Sequence, residues 1–207
     1  MVGAVRGATV SFTQMKDGTK ADYEFLEEME NAFVAGTAGR VLDHVQKLEQ
    51  SISGYQVSRF THSLQTATRA ERDGADIDWV VTALLHDLGD DLAPHNHDSI
   101  AAAVIKPYVR EECTWVCQHH GIFQLFYYAH HHGGDPDIRD KYENHPYHRA
   151  AVDFCERWDQ ASFDPAYDTL PLDHFAPLVH EVFSREPWDN THLRLGEQVP
   201  LFRKAAL

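Results

Sequence analysis

The sequence predicts an all-α fold on two observations. Apolar residues recur at helical spacing from residue 22 to residue 183, and no segment shows the strict apolar–polar alternation of a half-buried strand. Aspartate, glycine and proline, which favour helix starts and stops, flank several of these segments. The predicted helices cover residues 22–33, 38–50, 55–74, 76–89, 96–108, 111–121, 145–160 and 170–183.

The first four predicted helices rest mainly on the spacing of their apolar residues. Gly74 ends the third helix, since glycine is favoured just beyond a helix C-terminus. Asp76 starts the fourth helix, the most apolar segment of the chain, and Gly89 stops it. The sequence "ALLHDLGD" therefore lies at the end of a helix that we expect to be buried.

The remaining helices have similar boundary signals. Pro107 halts the helix over 96–108, Gly121 ends the next one, and Pro146 occupies a first-turn position, where proline is tolerated. Between them, "HHHGGDPD" (130–137) is predicted to be a turn because of its Gly-Gly and Asp-Pro pairs. Its histidines are expected to be solvated.

Composition limits the partners that the chain can have. The 207 residues are enough for one domain with a sizeable core, and no linker divides them. We therefore predict a single domain over 1–207, with residues 1–20 loosely ordered. The 18 Lys+Arg against 32 Asp+Glu give a formal charge of −14, which repels nucleic acid and anionic membranes. A small anionic ligand is still compatible, because a metal or a local basic cluster can reverse the sign inside a pocket.

The cysteines and the N-terminus favour a cytoplasmic protein. Three cysteines are too few and too odd in number for a disulfide framework. The N-terminal residues lack the apolar core of a signal peptide, and no apolar run reaches the roughly 18–20 residues of a membrane span.

Six of the ionisable residues form a candidate metal site. The chain has 15 histidines, so several will lie near apolar residues by chance, and each one alone is more simply read as a satisfied or exposed side chain. Together they favour a metal, because burying so many ionisable groups without a cation costs several kcal/mol each. Imidazole and carboxylate are suitable ligands for iron, manganese or zinc. The candidates, on five predicted helices, are His62, His86, Asp87, His97, His120 and Asp159.

These residues and their surroundings resemble the HD-domain superfamily, whose members are helical and metal-dependent. "HSLQTATRAERDGADIDWVVTALLHDLGD" (62–90) is similar over its whole length to the HD-domain diiron oxygenases, a group that includes myo-inositol oxygenase and the oxygenases that cleave the carbon–phosphorus bond of hydroxylated phosphonates. "NHDSIAAAVI", "WVCQHHGIFQ" and "CERWDQASFDP" continue the resemblance in the same order. It spans about residues 55–185.

The resemblance implies a ligand set. One iron would be bound by His62, His86, Asp87 and Asp159, and Asp87 would bridge to a second iron completed by His97 and His120. His119 is the competing choice for the last position. His120 is preferred because it aligns with the family's histidine, and because His119 would point about 100° away on a helix.

The resemblance also implies a reaction. Two irons in a mixed-valent Fe2+/Fe3+ state would use O2 to cleave the C–P bond of a small zwitterionic phosphonate. The best candidate is 1-hydroxy-2-(trimethylammonio)ethylphosphonate, which would give glycine betaine and phosphate. No catalytic residue is expected beyond the metal ligands. Two alternatives are open: a metal-dependent phosphohydrolase or phosphodiesterase, since some of these are also dinuclear, and a non-catalytic HD module that binds a ligand.

Seven residues are candidates for substrate contacts. Asp90 stands where many HD hydrolases carry a lysine or histidine, and it is either a solvated acid or a partner for a cation. Phe123 and Tyr128 are either core residues or faces for a quaternary ammonium group. Gln124 lies one helical turn beyond His120, where related phosphonate oxygenases have a lysine. The missing positive charge is expected from Arg139, Lys141 or Arg157.

Overall fold

The computed structural model describes residues 9–202. This part of the chain contains nine α-helices and no strand. The predicted all-α class is therefore confirmed, and the helices pack as a bundle. Short 3-10 turns join some of them. The helices are α1 (Lys20–Ala35), α2 (Thr37–Lys47), α3 (Arg59–Arg72), α4 (Ile77–Leu85), α5 (His97–Ile105), α6 (Glu111–Tyr128), α7 (His148–Phe154), α8 (Leu172–Phe183) and α9 (Asn190–Leu193).

The prediction of loose order for residues 1–20 lies partly outside the described residues, because the description begins at residue 9. Within the described part, Ser11 donates to the Asp22 carboxylate through its backbone N–H (2.7 Å) and its hydroxyl (2.9 Å). The Phe12 ring stacks on Tyr23 with a centroid separation of 5.6 Å. Residues 11 and 12 thus contact the first turn of α1.

Helix α4 lies at the centre of the core. All of its residues from Asp78 to Leu85 are buried, and α3, α5, α6 and α8 pack around it. The Trp79 ring lies 6.3 Å from Phe154 and 6.2 Å from Trp158, between centroids. This buried apolar helix leads directly into His86 and Asp87, which are themselves buried.

Three predicted boundaries were wrong in ways that affect the candidate site. Helix α4 ends at Leu85 and not at Gly89, so His86 and Asp87 follow it. Helix α6 does not stop at Gly121 but continues to Tyr128, because glycine costs only about 1 kcal/mol inside a helix and Phe123 beyond it is fully buried. Helix α3 begins after Ser58, whose hydroxyl accepts from the Thr61 N–H, and not at residue 55. The segment before α3, residues 51–58, is therefore not helical.

Gly89 is small for a reason of packing. A Cβ at this position would lie 2.7 Å from the His97 carbonyl oxygen and 2.8 Å from the Ile100 Cβ. The turn after α4 therefore approaches the start of α5 more closely than any side chain would allow. This approach brings His97 beside Asp87.

A π-helical turn follows α7. Residues Cys155–Asp159 form it, and the Gln160 N–H donates to the Cys155 carbonyl at 3.0 Å. A π turn rotates the residues after it relative to an uninterrupted α-helix, and such turns occur frequently at functional sites. Here Trp158 packs into the core while Asp159 faces the candidate site.

No helix between residues 9 and 202 is both long and apolar enough to cross a membrane.

The C-terminal segment is joined to α6 by a buried carboxyl group. The Glu112 carboxylate accepts from the Val199 N–H at 2.9 Å, and its residue is only 2% exposed. Burial raises the pKa of Glu112 to about 7. The folded state therefore favours the protonated form of this side chain.

The raised pKa of Glu112 predicts a pH-dependent loss of folding stability, which Glu112→Gln should remove. An acidic group whose pKa is raised by folding does not lower the free energy of unfolding at a pH below its pKa in the unfolded state. The loss of stability then grows with pH until the pH exceeds the pKa in the folded state. We expect the variant to match the wild type near pH 4.5 and to exceed it at pH 8 by about 1–3 kcal/mol in the free energy of unfolding, measured by urea titration. Glu111→Gln, which alters the exposed neighbouring acid that accepts from Gly196, is the control. An equal gain in that control would contradict burial as the cause.

Candidate metal centre

All six candidate ligands predicted from the sequence converge on one buried region. His62 lies on α3, His86 and Asp87 follow α4, His97 is the first residue of α5, and His120 lies on α6. Asp159 comes from the end of the π turn. The side chains of five of these residues are at most 4% exposed, and that of His97 is 22% exposed.

The four histidines share one orientation. Each turns Nδ1 toward a main-chain carbonyl oxygen, which can only accept a hydrogen bond, so Nδ1 carries a hydrogen. In a neutral ring the Nε2 lone pair is then directed into the site, as metal binding requires. The contacts are His62 to Ser162 (2.9 Å), His86 to Ala83 (2.7 Å), His97 to Pro94 (3.2 Å) and His120 to Cys117 (2.7 Å).

The first group of donor atoms consists of His62, His86 and Asp159. The two Nε2 atoms are 3.1 Å apart, and Asp159 Oδ1 lies 3.2 Å from His62 Nε2 and 3.6 Å from His86 Nε2. Metal–ligand bonds of about 2.1 Å in a tetrahedral arrangement place neighbouring ligand atoms about 3.4 Å apart. The spacing therefore fits one ion.

The second group consists of His97, His120 and one oxygen of Asp87. Their Nε2 atoms are 3.3 Å apart, and Asp87 Oδ1 lies 3.3 Å from each of them. The other oxygen, Asp87 Oδ2, lies 3.4 Å from His62 Nε2 and 3.6 Å from His86 Nε2. Asp87 therefore faces both groups with different oxygens, as a bridging carboxylate would.

One buried carboxylate oxygen is a suitable ligand for a cation. Asp159 Oδ2 is buried and has no hydrogen-bond partner among the described residues. A buried carboxylate oxygen without a partner costs about 1–3 kcal/mol or more, and a metal ion would remove that cost. The donor set of imidazole nitrogens and carboxylate oxygens suits divalent iron, manganese or zinc.

The electrostatics keep both carboxyl groups ionised. Burial would raise the pKa of Asp87, but the neighbouring histidines and Arg59 hold it well below its ordinary value. Asp159 behaves in the same way beside His86 and His62, and its pKa is also lowered despite burial. Burial would lower the pKa of His86, but the attraction of Asp87 and Asp159 raises it. The acids are thus in the protonation state that a metal requires.

A cavity of about 220 Å³ opens onto this centre. Two of the predicted substrate residues, Gln124 and Tyr128, line it. Among residues 9–202, Arg59 is the only arginine or lysine in its wall. The wall is formed by Tyr55, Arg59, Asp87, His97, His120, Gly121, Gln124, Tyr127, Tyr128, Asp159, Gln160 and Phe163.

Asp90 and Phe123, two of the predicted substrate residues, do not belong to the cavity wall. Asp90 is buried and accepts from the Ser51 hydroxyl at 2.6 Å, and Arg59 Nε lies 3.5 Å from it. It is therefore paired inside the protein and does not line the cavity. Phe123 is fully buried and packs edge-on against Trp115, because it lies on the core side of α6.

The three basic residues predicted to supply positive charge also lie outside the cavity wall. Arg139 stacks on the Phe126 ring, with its guanidinium carbon 3.6 Å from the ring centroid. The Lys141 ammonium lies 4.9 Å from the Tyr142 centroid. Arg157 forms a 2.8 Å ion pair with Asp73, because its position two residues before Asp159 turns it to another face.

Sequence reasoning missed Arg59, although a signal was present. Arg59 lies one helical turn before His62 on α3, so the two side chains share a face. Tyr127 lies two turns beyond His120 on α6 and could have been selected by the same spacing. Phe163 lies in an irregular segment after Asp159, where no periodicity indicates its direction. Its ring stacks on both His62 and Tyr55, at 4.4 and 5.0 Å between centroids.

Part of the chain matches a known protein family. Residues 59–152 match the family model described as HD domain. The match includes five of the six converging residues, and Asp159 lies just beyond it. A comparison with curated proteins gives no match.

The geometry predicts a distinction between two adjacent histidines. We expect two ions per chain in the wild type, one for each donor group, and about one in His120→Ala, because that change removes a donor from the second group. His119→Ala is the matched control, since His119 stacks on Trp115 and bonds to its carbonyl oxygen. Metal per chain is measured by mass spectrometry after anaerobic loading with Fe2+. The assignment is wrong if both variants lose the same amount.

Proposed function

The chain carries an HD domain, and from that premise we propose that the protein is an O2-dependent diiron oxygenase. Its substrate is a 1-hydroxy-2-(ammonio)ethylphosphonate, in the trimethylammonio form. The products are glycine betaine and phosphate. The observation that supports this best is the pair of donor groups that both face Asp87, four imidazoles and two carboxylates in all, beside a small cavity.

The atoms of this reaction balance with O2 as the only oxidant. The C1–H and C1–P bonds of the substrate break, and C1 becomes the carboxylate carbon. Of the two oxygen atoms of O2, one is gained by the carboxylate and one by phosphate. The C1 hydrogen and the hydroxyl hydrogen leave as protons, one on hydrogen phosphate and one in solvent. Two bound irons in the mixed-valent Fe2+/Fe3+ state would supply Lewis acidity, O2 binding and redox capacity.

The chain's own residues would bind and orient the substrate. The cavity gives access to Asp87, His97, His120 and Asp159, so a small ligand can reach both donor groups. The Arg59 guanidinium in the wall suits the phosphonate oxygens. Aromatic faces suit the trimethylammonium group, and the wall offers Tyr55, Tyr127, Tyr128 and Phe163.

A phosphohydrolase is the second candidate, because the same donors suit other divalent ions and Arg59 would suit a phosphate ester equally well. A hydrolase needs no O2. A non-catalytic module would bind its ligand without turnover by any metal. These three possibilities therefore give different results in one set of assays.

We expect the iron-loaded protein to consume O2 and to release phosphate from 1-hydroxy-2-(trimethylammonio)ethylphosphonate in a 1:1 ratio. An O2 electrode and a colorimetric phosphate assay measure the two quantities. The substrate should also change the EPR signal of a mixed-valent iron pair. Phosphate release under strict anaerobiosis with Mn2+ or Mg2+, or release from phosphate esters, would instead establish hydrolysis.

The aromatic wall predicts a selective effect of Tyr128→Leu. Loss of an aromatic face should raise KM for the trimethylammonio substrate by about 3–30-fold, as expected for a cation–π contact of about 0.5–2 kcal/mol. KM for the isostere 1-hydroxy-3,3-dimethylbutylphosphonate, which lacks the positive charge, should change much less. Phe126→Leu, which alters a ring covered by Arg139 outside the cavity wall, is the control. Equal effects of Tyr128→Leu on both compounds would exclude recognition of the cation by this ring.

A further inference from the structure

Three groups surround the Arg59 guanidinium. Its Nη1 donates to Asp87 Oδ2 at 3.3 Å, and its guanidinium carbon lies 4.8 Å from the centroid of the Tyr55 ring. Its Nε lies 3.5 Å from Asp90 Oδ2, an ion pair without a hydrogen bond, since Nε has no hydrogen-bond partner among the described residues. Its side chain is 17% exposed, and it lines the cavity beside the donor groups. The remaining side of the guanidinium therefore faces the cavity.

Asp90 is itself fixed in place. The Ser51 hydroxyl donates to Asp90 Oδ2 at 2.6 Å, the same oxygen that faces Arg59 Nε. Asp90 is 8% exposed, so an unpaired charge there would be costly. The three residues form a chain of contacts from the segment after α2, through the turn after α4, to the first residue of α3.

We propose that Asp90 is a positioning residue, fixed by Ser51, that holds Arg59 in the cavity wall, where Arg59 determines specificity for an anionic substrate group. An arginine has several rotatable bonds, and ordering a long side chain costs up to about 2 kcal/mol. Without Asp90, the guanidinium would keep only Asp87 and Tyr55 as partners. The inference rests on the proposed function only in taking the substrate to be an anion.

A second effect of Asp90 acts in the opposite direction. Its negative charge partly neutralises Arg59 and repels an anion in the cavity, so removing that charge alone would tighten anion binding. Ser51→Ala separates the two effects, because it removes the hydrogen bond that fixes Asp90 and changes no charge. Asp91→Asn is the matched control, since the adjacent acid pairs with His44 at 3.0 Å and not with Arg59.

The test is the Kd of inorganic phosphate, measured by calorimetry on the protein as purified, with the metal content of every variant recorded. We expect Arg59→Gln to weaken binding by about tenfold or more and Ser51→Ala by about threefold. Asp90→Asn should weaken it as well. In the Asp90→Asn background, Arg59→Gln should then have little further effect, because an unpositioned arginine contributes little.

Each alternative result overturns the proposal. Unchanged binding in Ser51→Ala, tighter binding in Asp90→Asn, or a larger effect of Arg59→Gln in the Asp90→Asn background would show that Asp90 only neutralises charge. A loss in Asp91→Asn equal to that in Asp90→Asn would show a general effect of removing an acid from this turn. These measurements involve no turnover. The expected pattern without O2 consumption would refute the oxygenase alone, and O2-dependent phosphate release without the pattern would refute the positioning role alone.

Discussion

The arrangement of the centre depends on the contacts of the Asp87 carboxylate with four histidines. One of its oxygens faces His62 and His86, and the other faces His97 and His120. Asp87 can face both groups only because α4 ends at Leu85 and α5 starts close to the turn that follows. Gly89 permits the second condition, because a side chain there would collide with the backbone of His97. A larger residue at 89 would therefore separate the two donor groups.

The main-chain contacts of the histidines determine how rigid the centre is. Each Nδ1 faces a carbonyl oxygen, and three of the four carbonyls belong to residues three positions earlier in the chain. His62 is the exception, since its partner Ser162 is 100 residues away. This contact ties α3 to the segment that carries Asp159 and Phe163. Such outer contacts hold the ring orientation and the tautomer before any ion binds.

The all-α class and the convergence of six polar residues could be predicted from the sequence, because buried helices impose a visible period on apolar residues. The walls of the cavity were harder to predict. Gly121 looked like a helix stop, and only the packing of Phe123 keeps α6 continuous beyond it. Asp90 looked available to a ligand because its partners, Ser51 and Arg59, lie 39 and 31 positions earlier in the chain. Tertiary contacts of this length leave no local pattern in a sequence.

The two donor groups differ in their access to the cavity. His62 and His86 are at most 1% exposed in their side chains and are absent from the cavity wall. His97 and His120 belong to the wall, and His97 is 22% exposed. An ion in the first group would therefore be enclosed by protein, whereas one in the second would have positions open to small molecules. Asp159 and Asp87 also belong to the wall, so a ligand in the cavity would meet both groups through these two carboxylates. The positive charge of the Arg59 guanidinium in the wall offsets part of their negative charge, so the local charge of the cavity differs from the formal charge of −14 of the whole chain.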